Sequence, residues 1–138
     1  MKNLKYTIFI WFATAVMLSI VPGCQKSPIN GELDGQWQVM TVEPTAPETI
    51  IHDRMYVCIS LHTCQLSVYG SGIWTSGNMS YSDDKLTMEF PNANSPESIA
   101  RLKQYGIYSN PVTFTVIFPE KNKLILKDKD AVVTLRKF

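Results

Sequence analysis

The sequence predicts an all-β fold, a small antiparallel up-and-down β-barrel of about eight strands with one short helix between strands. Short stretches of alternating apolar and polar residues recur along the chain, and clusters of Gly, Pro, Asn and Asp separate them. Only one stretch beyond the N-terminal region has the capping residues and the periodicity of a helix. Short strands joined by regular turns are typical of a meander that closes on itself, and 138 residues suit one domain.

The N-terminal region has the features of an export signal. A short basic start precedes an almost wholly apolar run that begins at Tyr6. The run is shorter than the roughly 20 residues that a membrane-spanning helix needs. It ends at residues 21–24, Val-Pro-Gly-Cys, which resemble the lipobox of bacterial lipoproteins. The resemblance implies that residues 1–23 are a lipoprotein signal peptide and that acyl chains such as palmitate are attached to Cys24. An ordinary signal peptide with an incidental cysteine is the alternative.

The charge of the chain excludes some partners. Removal of Lys2 and Lys5 with the signal would leave 11 basic and 12 acidic side chains, a net charge of −1. We therefore expect no nucleic-acid binding and only weak attraction to anionic lipids. Contact with the membrane should come from the acyl chains on Cys24, since two or more chains anchor a protein stably. We expect a position in the cell envelope, on the periplasmic side of the outer membrane, because no acidic run follows Cys24.

Two segments are predicted after the signal. Residues 24–34 contain Gly, Pro, Ser and Asn with few apolar side chains, so they are expected to be the lipidated cysteine and its tether. Residues 35–138 are expected to be the barrel domain. Seven strands are predicted, at about residues 36–42, 55–69, 73–81, 85–90, 112–118, 124–126 and 131–137, and the number rises to eight if residues 55–69 form a hairpin. One face of the strand at 73–81 should carry Ile73, Met79 and Tyr81. The clearest alternation assigns inward positions to Leu86, Met88, Phe90, Val112, Phe114, Val116 and Phe118.

The stretch Met55–Tyr69 allows two interpretations. Its apolar residues change parity near His62, so either a bulge bends one long strand or a turn makes a hairpin. A tight hairpin favours Gly, Asn or Asp in its turn, and residues 60–63 contain none, so we favour the bent strand. In a hairpin with a three-residue loop, Cys58 and Cys64 would face each other and could form a disulfide. In one strand they would lie about 20 Å apart and remain thiols.

A helix of about ten residues is predicted between the strands at 85–90 and 112–118. Ser95 is a favourable N-cap and Gly106 is suited to the position just after the last turn. Ile99 and Leu102 form a narrow apolar stripe. Because so short a helix does not persist alone in water, we expect it to dock on the barrel.

The first and last strands carry the residues that indicate a family. Gly35 and Trp37 form a Gly-x-Trp motif at the start of the first strand, and Arg136 lies in the last. In these features the chain resembles the small lipocalin-like (calycin-type) lipoproteins of bacterial envelopes. The resemblance implies a barrel in which Arg136 lies over or beside a buried Trp37 and closes one end. It also implies a binding protein, without identifying a ligand residue.

Two functions are open for such a barrel. In the first, an interior cavity binds a small, unidentified apolar molecule. The predicted cavity residues are Tyr56, Tyr81, Met88, Phe90, Phe114, Val116 and Phe118. In the second, the core is solid and the barrel presents its surface to another envelope protein. An eight-stranded barrel has an interior just wide enough for side chains or one small ligand, so the sequence permits both.

Enzymatic and metal-dependent functions have little support in the sequence. No Gly-x-Ser-x-Gly elbow, His-Glu-x-x-His motif or phosphate-binding loop is present, so we expect neither catalysis nor a cofactor. His52, Cys58, His62 and Cys64 are zinc-ligand types, but their spacing matches no standard pattern. No metal site is therefore predicted.

Overall fold

The computed structural model describes residues 29–44 and 54–138, which form a closed barrel. Eight antiparallel strands pair in chain order, and β8 pairs with β1 to close the sheet. The elements are a 3-10 helix at Gly31–Leu33, β1 Gly35–Glu43, β2 Met55–Ser60, β3 Thr63–Val68, β4 Gly72–Ser82, β5 Lys85–Glu89, α1 Pro96–Gln104, β6 Val112–Glu120, β7 Lys123–Lys127 and β8 Val132–Lys137. This architecture confirms the predicted fold class. The predicted signal peptide, Cys24 and His52 lie outside the described residues.

Alternation within the strands explains how the core forms. In β5, Leu86 and Met88 are buried while Lys85 and Glu89 are exposed. The strands β6, β7 and β8 show the same alternation, and the inward side chains of the barrel join in one hydrophobic cluster. Removal of this apolar surface from water supplies the main stabilisation, at about 25 cal/mol per Å².

The stretch predicted to be one bent strand is a hairpin, so that prediction is wrong. β2 and β3 pair along their whole length and are joined by Leu61 and His62. Leu61 has a φ of +55°, a conformation that turns usually give to Gly, Asn or Asp. Distant residues hold the turn: the Asn30 side-chain amide donates to the Leu61 carbonyl oxygen over 2.9 Å, and the Met79 N–H donates to the His62 carbonyl oxygen over 2.8 Å. These hydrogen bonds offset the free-energy cost of the positive φ at Leu61, a cost that the residues of the turn cannot offset alone.

The two-residue turn also separates the cysteines. Cys64 pairs with Ile59 and faces the core, whereas Cys58 pairs with Gln65 on the outer face. Both are free thiols, so the disulfide considered for a three-residue loop does not form. Burial raises the pKa of the Cys64 thiol to about 12. Cys64 therefore behaves as a small, neutral core side chain.

A β-bulge in β4 displaces Trp74 from the regular ladder. Leu66 pairs with Thr75 and Ser67 pairs with Ile73, which leaves Trp74 as the extra residue. The alternation changes parity at this point, so Ile73 is exposed whereas Met79 is buried, and the prediction that these two residues share one face is wrong. Bulges commonly re-aim a side chain in this way.

The helix α1 forms where predicted and closes one end of the barrel. Ser95 is its N-cap, and the Ser95 hydroxyl accepts a hydrogen bond from a backbone N–H of the first turn over 3.1 Å. Gly106 follows the helix with a φ of +78°, and the Ile107 N–H donates to the Leu102 carbonyl oxygen over 3.0 Å. This is a Schellman ending. A β-carbon at Gly106 would collide with Val133 Cγ2, so the glycine allows α1 to end against β8.

Candidate functional site

One end of the barrel, which we call the base, is closed by the 3-10 helix and Trp37. Leu33 and Trp37 are fully buried, and the Trp37 indole Nε1–H donates to the Leu33 carbonyl oxygen over 2.9 Å. This hydrogen bond satisfies the buried indole donor, and the indole ring fills the base. Because Leu33 belongs to the core, the barrel begins within the segment 24–34 that the sequence assigned to a tether.

Lys137, and not Arg136, lies over the Trp37 ring. The Lys137 Nζ is 4.5 Å from the ring centroid, and Lys137 lies directly opposite Trp37 in the β1–β8 ladder. Arg136 lies opposite Gln38 on the outer face and donates to Gln38 Oε1 over 3.0 Å. The predicted Trp37–Arg136 pair is therefore wrong by one position, because successive residues of a strand face opposite sides.

The Lys137 ammonium also holds the 3-10 helix in place. It donates hydrogen bonds to the carbonyl oxygen of Glu32 over 3.2 Å and to that of Asp34. Gly35 makes this approach possible, since its φ is +131° and a β-carbon there would lie 2.7 Å from Lys137 Nζ. The glycine of the Gly-x-Trp motif thus has a physical role at the base.

Four of the side chains predicted to line a cavity instead fill the barrel. Met88, Phe90, Phe114 and Val116 are at most 5% exposed and belong to the contiguous core. A side chain that lines a cavity large enough for water exposes surface to it, so their low exposure leaves no such space around them. At these positions the core of the described residues is solid.

Tyr56 does not face the interior, and its assignment to a cavity is wrong. It lies on the outer face of β2, opposite Gln38, and its ring meets the Phe138 ring edge-on at 5.0 Å between centroids. The buried inward residues of β2 are Met55, Val57 and Ile59.

Tyr81 and Phe118 lie at the base. Together they line an open groove of about 500 Å³, and the Phe118 ring is 6.2 Å from the Trp37 ring. The Tyr81 hydroxyl is 3.4 Å from an Asp84 carboxylate oxygen. Partial burial and this carboxylate raise the pKa of Tyr81. These residues form part of the outer rim of the base.

The opposite end, which we call the helix end, is closed by α1. Leu102 and Tyr105 are buried there. The Tyr105 hydroxyl donates to the Ser67 carbonyl oxygen over 2.8 Å and accepts from the Trp74 Nε1–H over 3.2 Å. Burial raises the pKa of Tyr105 to about 12, so the hydroxyl keeps its proton near neutral pH. These hydrogen bonds tie α1 to β3 and β4, and the barrel is closed at both ends.

A cleft of about 130 Å³ lies between α1 and the β3–β4 turn. Its lining includes Val68, Ser71, Trp74, Arg101, Gln104 and Tyr105. The Arg101 guanidinium lies 5.5 Å from the centroid of the Trp74 ring, a cation–π distance. Arg101 makes no ion pair with any described carboxylate. The cleft therefore combines an aromatic wall with a positive charge that no carboxylate of residues 29–44 or 54–138 neutralises.

The β3–β4 turn exposes further large side chains beside this cleft. Tyr69 is 67% exposed and Ile73 is 58% exposed. The Arg54 guanidinium lies 4.7 Å from the Tyr69 ring centroid and, within the described ranges, pairs with no carboxylate. We call Arg54, Tyr69, Ile73, Trp74 and Arg101 the helix-end surface. Trp, Tyr and Arg are the residue types enriched at the energetic centres of protein interfaces.

Sequence reasoning did not identify the helix-end surface. The one available signal was a Gly-Ser-Gly turn at residues 70–72 with Tyr69 before it and Trp74 shortly after it. The bulge that turns Ile73 outward depends on pairing with β3 and has no signature in the sequence. Arg101 could be recognised only as a polar position on a helix.

Two other grooves lie on the surface. One, of about 250 Å³, runs beside α1 and includes Ile99 and Tyr108. The other, of about 490 Å³, lies on the outer wall of β5–β7 and includes Lys85, Lys127 and Lys129.

Across residues 29–44 and 54–138, no cluster of three or more His, Cys, Asp or Glu could hold a metal ion. The same ranges contain no helix long and apolar enough to cross a membrane.

Comparison with known proteins identifies the family. Residues 16–138 match the sequence profile of the lipocalin-like domain family. A lipocalin-like protein from Bacteroides uniformis is 20% identical with a TM-score of 0.54, over 78% of this chain and 100% of that one. An uncharacterized protein from Bacteroides eggerthii is 14% identical with a TM-score of 0.52, over 76% and 98% respectively. These identities support a shared fold alone, and no curated protein matches the chain. Because the profile spans most of the sequence and the barrel has the expected strand order, this chain belongs to the lipocalin-like domain family.

Proposed function

We propose that this protein is a lipid-anchored interaction module of the cell envelope, a solid barrel that binds another envelope protein through the helix-end surface. The observation that carries the proposal is the filled interior. Phe90, Phe114 and Met88 occupy the space where a lipocalin-like carrier would hold a ligand. Because the barrel is filled by its own side chains and closed at both ends, a partner would bind to its outer surface.

The proposed anchor would orient the helix-end surface for such binding. Cys24 precedes Ile29, the first described residue, by five positions, and five residues span at most about 18 Å. The chain reaches the barrel at the base, opposite α1. Acyl chains on Cys24 would therefore hold the base close to the outer membrane, and the helix-end surface would face the periplasm.

The residue types of the helix-end surface support the proposal that its partner is a protein. Exposed apolar side chains scattered singly are ordinary on a protein surface. Here Tyr69 and Ile73 are more than half exposed and lie beside Trp74, with Arg54 and Arg101 placed over aromatic rings. Such anchors typically dominate the binding energy of an interface.

Carriage of a small apolar molecule is the second candidate, favoured by membership of the family. It would require the core to open. Displacing α1 would break both hydrogen bonds of Tyr105 and expose Leu102. Returning buried side chains such as Phe90 and Phe114 to water costs about 1.5–3 kcal/mol each. A ligand would have to offset several kcal/mol before showing any net affinity, so the solid core favours the interaction module.

Site-specific photo-crosslinking in the native host tests the proposal. The photoreactive residue p-benzoylphenylalanine replaces Ile73 in one variant and Ser80, exposed on the same strand, in the control. We expect one discrete heteromeric product from position 73, absent from position 80 and abolished by Arg101→Glu. Equal products from both positions would overturn the assignment of the surface. A product of twice the mass of the chain would indicate self-association and contradict binding of a different protein.

A further inference from the structure

We propose that the cleft between α1 and the β3–β4 turn binds a carboxylate side chain of an acidic partner peptide, and that Arg101 is the residue that pairs with it. This inference rests on the proposed interaction function and adds the chemistry of the partner. The partner segment carries an acidic residue with apolar neighbours, which pack on the exposed Ile73 and Tyr69.

Hydrogen bonding within the cleft shows which groups are available to a ligand. The Trp74 indole N–H and the Tyr105 hydroxyl bond to each other, and that hydroxyl also bonds to the backbone of β3. The two rings, 6.1 Å apart between centroids, thus form a fixed wall. The side chains of Ser71 and Gln104 also line the cleft and have no hydrogen-bond partner in the described part of the chain. Within the part of the chain that the structure describes, these two side chains and Arg101 are therefore the donors that a ligand in the cleft can use.

The positive charges of the arginines at the cleft favour an anionic ligand. Arg101 and Arg54 each lie over an aromatic ring, and neither is paired with a carboxylate of residues 29–44 or 54–138. Glu97, one helical turn before Arg101, forms no ion pair with it. A guanidinium presents a planar set of donors that matches a carboxylate in a bidentate geometry. An acidic group with an apolar neighbour complements both the charge and the rings.

Size distinguishes a peptide side chain from a free small molecule. Pockets for drug-sized ligands usually measure about 300–1,000 Å³. The cleft measures about 130 Å³, which suits one side chain. Affinity for a whole partner would then come from the surrounding exposed residues, with the cleft selecting the acidic position.

Nuclear magnetic resonance with defined peptides provides the test. The probes are N-acetyl-Leu-Glu-Leu-amide and its neutral isostere N-acetyl-Leu-Gln-Leu-amide, added to ¹⁵N-labelled mature protein purified in detergent. We expect the Glu peptide to shift the Trp74 indole and Arg101 Nε–H signals. The Gln peptide should bind about tenfold more weakly, the effect of losing one charge-assisted hydrogen bond. Arg101→Gln should abolish the preference for Glu. Arg136→Gln, on the outer wall, should leave it unchanged.

The outcomes separate this inference from the proposed function. Equal binding of the two peptides, or no shift of the Trp74 signal by either, would overturn the carboxylate site. If the crosslink from position 73 persisted in that case, the interaction module would stand with a different partner chemistry. If the Glu peptide bound as expected but no heteromeric crosslink formed in the host, the cleft chemistry would stand and the proposed function would fail.

Discussion

Replacement of Lys137 by methionine tests how the base is closed. Methionine keeps a flexible, unbranched side chain against Trp37 and removes the ammonium group. The cation–π contact at 4.5 Å contributes about 0.5–2 kcal/mol. Hydrogen bonds to charged groups contribute about 1.5–3 kcal/mol each, although relief of the partly buried charge offsets some of this. We expect a net loss of about 2 kcal/mol, which for a domain of this size lowers the melting temperature by about 8 °C.

The matched control is Arg136→Met, which removes the neighbouring cation. Arg136 is exposed and, among residues 29–44 and 54–138, hydrogen-bonds to Gln38 Oε1, so its loss should cost less than about 1 kcal/mol. Thermal unfolding followed by far-ultraviolet circular dichroism gives both values. A larger loss for Arg136→Met than for Lys137→Met would refute the placement of Lys137 over Trp37. So would a Lys137→Met variant that melts like the parent.

Three further substitutions test other parts of the molecule. Gly106→Ala should lower the free energy of unfolding, measured by urea titration, by about 2–3 kcal/mol. The reason is that a residue with a β-carbon is strained at a φ of +78° and that this β-carbon meets β8. An unchanged urea midpoint would contradict this. Leu61→Gly should change that free energy by less than about 0.5 kcal/mol, since relief of strain at +55° offsets the greater unfolded-state entropy of glycine; a loss twice as large would show that the leucine side chain stabilises the turn. Cys24→Ser should transfer the protein from the membrane to the soluble fraction of the host, and retention in the membrane would argue against lipidation.

Local periodicity was sufficient to predict most of the barrel. The inward positions of β5 and β6 follow a period of two, and burial of Leu86, Met88, Phe114 and Val116 agrees with it. The helix caps were equally predictable because Ser95 acts on its own helix. In each of these cases the determining interactions lie within a few residues of each other.

Features set by distant contacts could not be predicted in this way. The turn at Leu61 depends on the Asn30 amide, and the outward position of Ile73 depends on a bulge against β3. The wrong prediction that Arg136 lies over Trp37 at the base had a different origin. In β8 the alternation that buries Leu135 also places Lys137 on the inner side, whereas the family resemblance implies Arg136 at that position. Strand parity was the better guide there.

The melting temperature of the unchanged protein with small lipophiles tests most directly whether its interior is solid. Phe114→Ala is the positive control, because truncation of a buried ring leaves a dry cavity that binds small apolar molecules such as benzene. We expect fatty acids, retinoids, bile acids, haem and benzene to leave the melting temperature of the parent unchanged, while benzene raises that of Phe114→Ala by mass action. A concentration-dependent rise for the parent with any of these compounds would contradict the solid core and restore the carrier function.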